Sequence, residues 1–265
     1  MRYFTREWYD LMQRLHLHSG YVELEETANF DENLFIRLYK IKESEYIELQ
    51  QKMYATPPLH IHIFIDDIAY ENFDFVSQNK RLDQEYEQEL KEWEKREPLG
   101  REYFAEQFND LYSIHSKNAS RQLKRIPNEI LNEIADLRVF ILGYATKEII
   151  KKLEKQSNIN QIEYDNIREN YENDPRVKCV PREKIRGFGF HDFKIYSFVC
   201  DNEIKLDVGY KVITFKEAKI IEAPTEVVGK SWEYSEVYKI DDLYEIHIFL
   251  SDNSYLTISC EDFTF

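Results

Sequence analysis

Hydrophobic positions recur every three to four residues along the chain as far as about residue 175, and every second residue after that. The first spacing lines one face of a helix and the second one face of a strand, so the chain reads as helices followed by strands. Thr5 is placed to cap a helix carrying Trp8, Leu11, Met12 and Leu15, and Asp31 to cap a second in which Leu34, Leu38 and Ile41 form a stripe. Pro57-Pro58 closes that element, and Leu59 to Ile65 alternates in the manner of a short strand. Leu82, Tyr86, Leu90 and Trp93 make a narrow stripe on a charged helix from Lys80 to Glu97. Tyr103, Phe104, Phe108 and Leu111 mark another beyond Pro98 and Gly100. Pro127 and Gly143 bracket a predicted continuous helix with core positions Ile130, Ile134, Leu137 and Ile141. Thr146 opens a short helix, and a last helical piece is expected over residues 159–172.

Past Pro181 the turn groups Asp201-Asn202, Asp241-Asp242 and Ser251 to Ser254 separate alternating runs such as Tyr244, Ile246, Ile248 and Leu250. The expected fold is α+β: a helical region, residues 1–175, followed by an antiparallel β module, residues 176–265, closed as a small barrel or sandwich.

Composition narrows the classes. Hydrophobic residues at 43% and aromatics at 15% supply enough burial to exclude global disorder. A net charge of −15 argues against a nucleic-acid binder, which needs a basic footprint. No stretch approaches the roughly 20 apolar residues of a membrane span, and the first residues lack a signal-peptide run. A cytoplasmic protein is expected. Cys179, Cys200 and Cys260 are far apart without a C-x-x-C pair, and read as reduced core residues.

Chemistry is sparse. His60-x-His62 on the predicted strand, with Asp66 and Asp67 downstream, has the spacing of some metal sites, although alternation alone produces it. His191-Asp192, after Phe188-Gly189-Phe190, could supply ligands or a general base; its plainer use is to hydrogen-bond backbone where the chain enters the sheet. Trp93, Trp232 and Tyr234 are candidate anchors for a partner, or core residues. No Walker loop, G-x-S-x-G elbow, H-E-x-x-H or dinucleotide loop occurs, and no cofactor is implied.

Several strings resemble a family of bacterial proteins of about this length with no assigned activity: Met1-Arg2-Tyr3-Phe4-Thr5-Arg6-Glu7-Trp8-Tyr9, Ile134-x-Asp136-x-Arg138-Val139, Leu142-Gly143, Phe190-His191-Asp192, Trp232-x-Tyr234-x-Glu236 and Tyr244-Glu245-Ile246-His247. The resemblance implies a bacterial cytoplasmic protein with a helical front and a β tail like modules of polymorphic-toxin immunity and accessory proteins. It carries over no catalytic residue.

The leading expectation is a non-enzymatic interaction protein, immunity-like, whose acidic helical face meets a basic protein partner. The alternatives are a metal-dependent hydrolase using His191 and Asp192 with His60 and His62, and a structural accessory subunit or homo-oligomer.

Overall fold

A computed structural model describes residues 2–60, 75–201, 203–209 and 211–265. The chain forms two compact units, Gly20–Ile150 and a second made of Met1–Ser19 with Lys151–Phe265.

In Gly20–Ile150, strands β1 (Val22–Glu23) and β2 (Tyr144–Ala145) pair in parallel. Helix α1 (Arg6–Met12) precedes them in the chain and belongs to the other unit; the Thr5 hydroxyl accepts from the Trp8 N–H and starts it. Helix α2 (Glu32–Ala55) begins at Asp31, whose carboxylate accepts from the Asn33 N–H at 2.9 Å. Helices α3 (Phe75–Glu94) and α4 (Arg101–Leu123) follow on either side of the Pro98-Leu99-Gly100 break. Leu34 and Leu38 of α2 pack with Val139, Leu142 and Tyr144, but Ile41, the third member of the expected stripe, is exposed. Leu59 and His60 carry no strand, and the rest of the strand expected there lies outside the described residues.

The continuous helix expected between Pro127 and Gly143 is two short ones, α5 (Asn128–Leu131) and α6 (Leu137–Ile141). Asp136 breaks it: its carboxylate accepts from the Arg138 N–H at 2.9 Å and from the Arg138 guanidinium, so an aspartate read as helix interior is a cap. The phase of burial changes with the break, leaving Leu137 exposed and Val139 and Phe140 buried.

The opposite correction applies to α7 (Lys147–Asn173), a single helix where two were expected. Two polar residues of this helix, Ser157 and Asn160, are buried contacts for residues 14–17. Ser157 Oγ accepts from the Leu17 N–H at 3.0 Å, and the Asn160 amide donates to the Arg14 carbonyl at 2.8 Å. These bonds help bring the first nineteen residues into the unit that holds the sheets.

Two short helices, α8 (Pro175–Lys178) and α9 (Arg182–Arg186), lead into the strands. Strands β3 (Phe193–Lys194), β8 (Ser231–Ile240), β9 (Leu243–Leu250), β10 (Tyr255–Cys260) and β7 (Lys219–Glu222) form one antiparallel sheet in the order β3-β8-β9-β10-β7. Strands β11 (Asp262–Thr264), β6 (Val212–Lys216), β5 (Ile204–Asp207) and β4 (Ser197–Cys200) form a second, in the order β11-β6-β5-β4. Ile204, Leu206, Ile213 and Phe215 of one sheet share a single buried cluster with Trp232, Ile246, Ile248 and Ile258 of the other. The fold is therefore mixed α+β, helices first and antiparallel sheets last. Asp241 and Asn253, both at positive φ, sit in the β8–β9 and β9–β10 turns, a conformation that Asp and Asn tolerate better than most residues.

Cys260 is buried, as expected of a core residue, whereas Cys179 and Cys200 are exposed because they fall in a loop and at the end of the edge strand β4. Among the described residues no helix is long and apolar enough to cross a membrane.

Candidate functional site

The loop between α9 and β3 is tied to β8 by backbone. The Asp192 N–H donates to the Trp232 carbonyl at 2.8 Å, and the Phe193 N–H closes a turn onto the Phe190 carbonyl at 3.1 Å. Phe190 is buried and anchors the loop, while His191 and Asp192 project outward. Asp192 sits at φ 65°, the left-handed region that most side chains avoid. On the other side, β8 slips register against β9 between Trp232 and Tyr234, making Glu233 the extra residue of a β-bulge. Two local irregularities thus meet at one place.

They bring together His191, Asp192 and Glu233, each with a ligand atom within 4.8 Å of the others. His191 Nδ1 lies 2.7 Å from the Glu233 carbonyl oxygen. A carbonyl can only accept, so Nδ1 carries a proton and Nε2 is the nitrogen whose lone pair can serve a ligand. That lone pair faces Asp192 Oδ2 at 3.4 Å and the Tyr234 hydroxyl at 3.5 Å. Glu233 is 7% exposed, and its Oε2 is buried without a hydrogen-bond partner. Burial, and secondarily the Asp192 charge, hold the Glu233 carboxyl above its ordinary range. Among the described residues no lysine or arginine forms an ion pair with either carboxylate.

Sequence reasoning picked out His191 and Asp192 but not Glu233. In an alternating strand the neighbour of an inward Trp232 points outward, and the register slip that overrides this has no local sequence signal. His60 Nε2 is 2.9 Å from Asp83 Oδ1 and its ring lies over Tyr86, in the unit Gly20–Ile150. His62, Asp66 and Asp67 lie outside the described residues.

Of the aromatic candidates, Trp232 is fully buried in the cluster shared by the two sheets, so it packs the core and presents nothing to a partner. Tyr234 is half-buried under α1: its ring contacts Trp8 and His191, and its hydroxyl donates to Met12 Sδ at 2.8 Å. Trp93 is half-buried on α3, in line with the half-buried Leu82, Tyr86 and Leu90.

The unit Gly20–Ile150 has a different character. It holds 16 Lys+Arg against 26 Asp+Glu, net −10 of the chain's −15. Along one side of α2, Ile41, Glu45, Leu49 and Met53 follow one another at i, i+4 spacing, and the three apolar members are 41%, 54% and 60% exposed. Glu48 is exposed beside them. Side chains four apart on a helix are neighbours, so this is one continuous apolar and acidic stripe.

The chain matches no family model, no curated protein and no solved structure.

Proposed function

We propose that the protein is an interaction protein, immunity-like in mode, whose acidic helical unit receives a basic protein partner through the outer face of α2. The observation that carries this reading is the stripe Ile41, Glu45, Leu49, Met53. Large apolar side chains exposed in a row are what a recognition surface presents, and the surrounding negative charge selects a basic counterpart. The apolar residues would supply contact area and the carboxylates the orientation and the rate of encounter.

The test is affinity capture from the source cells with the wild-type chain and two variants, Leu49→Ser with Met53→Ser, and Glu45→Lys with Glu48→Lys. A stoichiometric basic protein is expected from the wild type at low salt, weakened at high salt and lost with both variants while their thermal unfolding stays unchanged. Retention of the same partners by both variants would end this reading.

A further inference from the structure

The geometry points to a divalent-cation site formed by His191 Nε2, Asp192 and Glu233, taking a transition-metal ion of the Mn²⁺ or Zn²⁺ class. Nothing in this inference depends on the interaction surface of α2, which belongs to the other compact unit.

Three independent observations converge. The first is electrostatic. Two carboxylates and the Nε2 of His191 face one another without a lysine or arginine paired to them, and the two carboxylates repel one another until a positive charge enters. The second is an unmet demand for a partner. Glu233 Oε2 is buried without a hydrogen-bond partner, which is unfavourable for a neutral acceptor and more so for an ionised one. The third is that the backbone departs from regular form at both contributing segments, with Asp192 in the left-handed region and Glu233 on a bulge. Such departures aim side chains that a regular strand would point elsewhere.

The donor set fits a cation well. Three ligands at about 2.1 Å from one ion lie roughly 3.0–3.6 Å from one another, so a set within 4.8 Å needs at most about 1–2 Å of closure, within reach of rotation of the exposed Asp192. His191 already has the support that metal-ligating imidazoles use, its second nitrogen donating to a backbone carbonyl and thereby fixing the tautomer. Two carboxylates neutralise a divalent ion. One nitrogen with two oxygens favours Mn²⁺ or Zn²⁺ over Ca²⁺, which takes oxygen alone. His191 and Asp192 are exposed, so the remaining coordination positions open to solvent and would hold water. The competing occupant is a proton shared between Asp192 and Glu233.

Titration of the full chain with Mn²⁺, followed by the loss of the free-ion electron paramagnetic resonance signal, and with Zn²⁺ by calorimetry, separates the two. One ion per chain is expected, bound about 100-fold more weakly by Asp192→Asn and by Glu233→Gln. Asn keeps the left-handed conformation at 192 and the residue is exposed, so Asp192→Asn tests the site without endangering the fold. Failure of both ions to bind at submillimolar concentration, or equal binding by wild type and Asp192→Asn, would overturn the site in favour of the shared proton or of a surface ion held elsewhere.

Discussion

In the unit that carries the sheets, apolar side chains from both sheets vanish into one cluster, and even the tryptophan and tyrosine of β8 that looked like partner anchors are fully or half buried. In Gly20–Ile150 the reverse holds along α2, where Leu34, Leu38 and Ile47 are buried while Ile41, Leu49 and Met53 on the same helix are exposed. The difference teaches how far a pattern reports burial. A strand has two faces, and once one is assigned to a core every second residue follows. A helix spreads its residues around a cylinder, and a broad apolar sector can exceed what its neighbours cover. The surplus on α2 stays exposed, and it is the surface the proposed recognition would use.

One device is common to both units. Asp136-Leu137-Arg138 and Asp174-Pro175-Arg176 each form a cap in which the aspartate accepts the N–H of the arginine two residues on and also grips its guanidinium. Each arginine then lies over an aromatic ring, Arg138 over Phe35 and Arg176 over Tyr238. The clamp is thus a local solution that works in either context.

The comparison can be broken most forcefully at the core. Trp232→Ala should cost about 3–5 kcal/mol in denaturant unfolding, because a filled core position becomes a cavity. A loss below 1 kcal/mol would mean that the two sheets do not share a core.

Glu236 offers a polar counterpart of similar size. Its buried carboxylate accepts from the Tyr3 and Phe4 N–H groups, the latter at 2.7 Å, and lies 3.4 Å from His247 Nδ1. Glu236→Ala strands the two N–H groups, at a cost of about 3 kcal/mol, and should release the N-terminal segment to proteolysis. Unchanged protease resistance would show that α1 is held without Glu236, by its aromatic contacts and its bonds to α7.

Acid should reveal the clamp. Hydrogen bonding and charge from Arg176 hold the Asp174 carboxyl down to about 2, below its ordinary 3.8. A depressed folded value stabilises above the unfolded one, so this contribution is whole above about pH 4 and fades as pH falls toward 2. Asp174→Asn should therefore flatten the melting-temperature profile between pH 4 and 2, relative to wild type, and lower the plateau above it. An unaltered profile would place the acid sensitivity elsewhere.

The smallest effect is expected where the exposed stripe lies. Leu49→Ser should change stability by no more than about 0.5 kcal/mol. A larger loss would mean that the α2 stripe is covered in the folded chain, which would remove the basis of the recognition surface.

Much of the fold was legible because its signals are local. Thr5 and Asp31 cap their helices through atoms within three residues of themselves, and the polar turns at Asp241-Asp242 and Ser251 to Ser254 separate strands whose alternation announces them. Misreadings arose where a polar residue had two local uses. Asp136 looked like helix interior and is a cap, whereas the gap expected before residue 159 is helix, with Ser157 buried against residues 17 and 18.

The candidate cation site divides in the same way. His191 and Asp192 stand out in the sequence as adjacent groups with ligand chemistry, but Glu233 lies 41 positions further on in a strand whose alternation points it outward. By itself the sequence determined the order of helices and strands, since hydrophobic period and capping act over a few residues. Only the tertiary structure decided which carboxylate joins His191 and which apolar face is left uncovered. Both depend on strand register and packing between segments remote in the chain, and these are settled by the free energy of the whole fold.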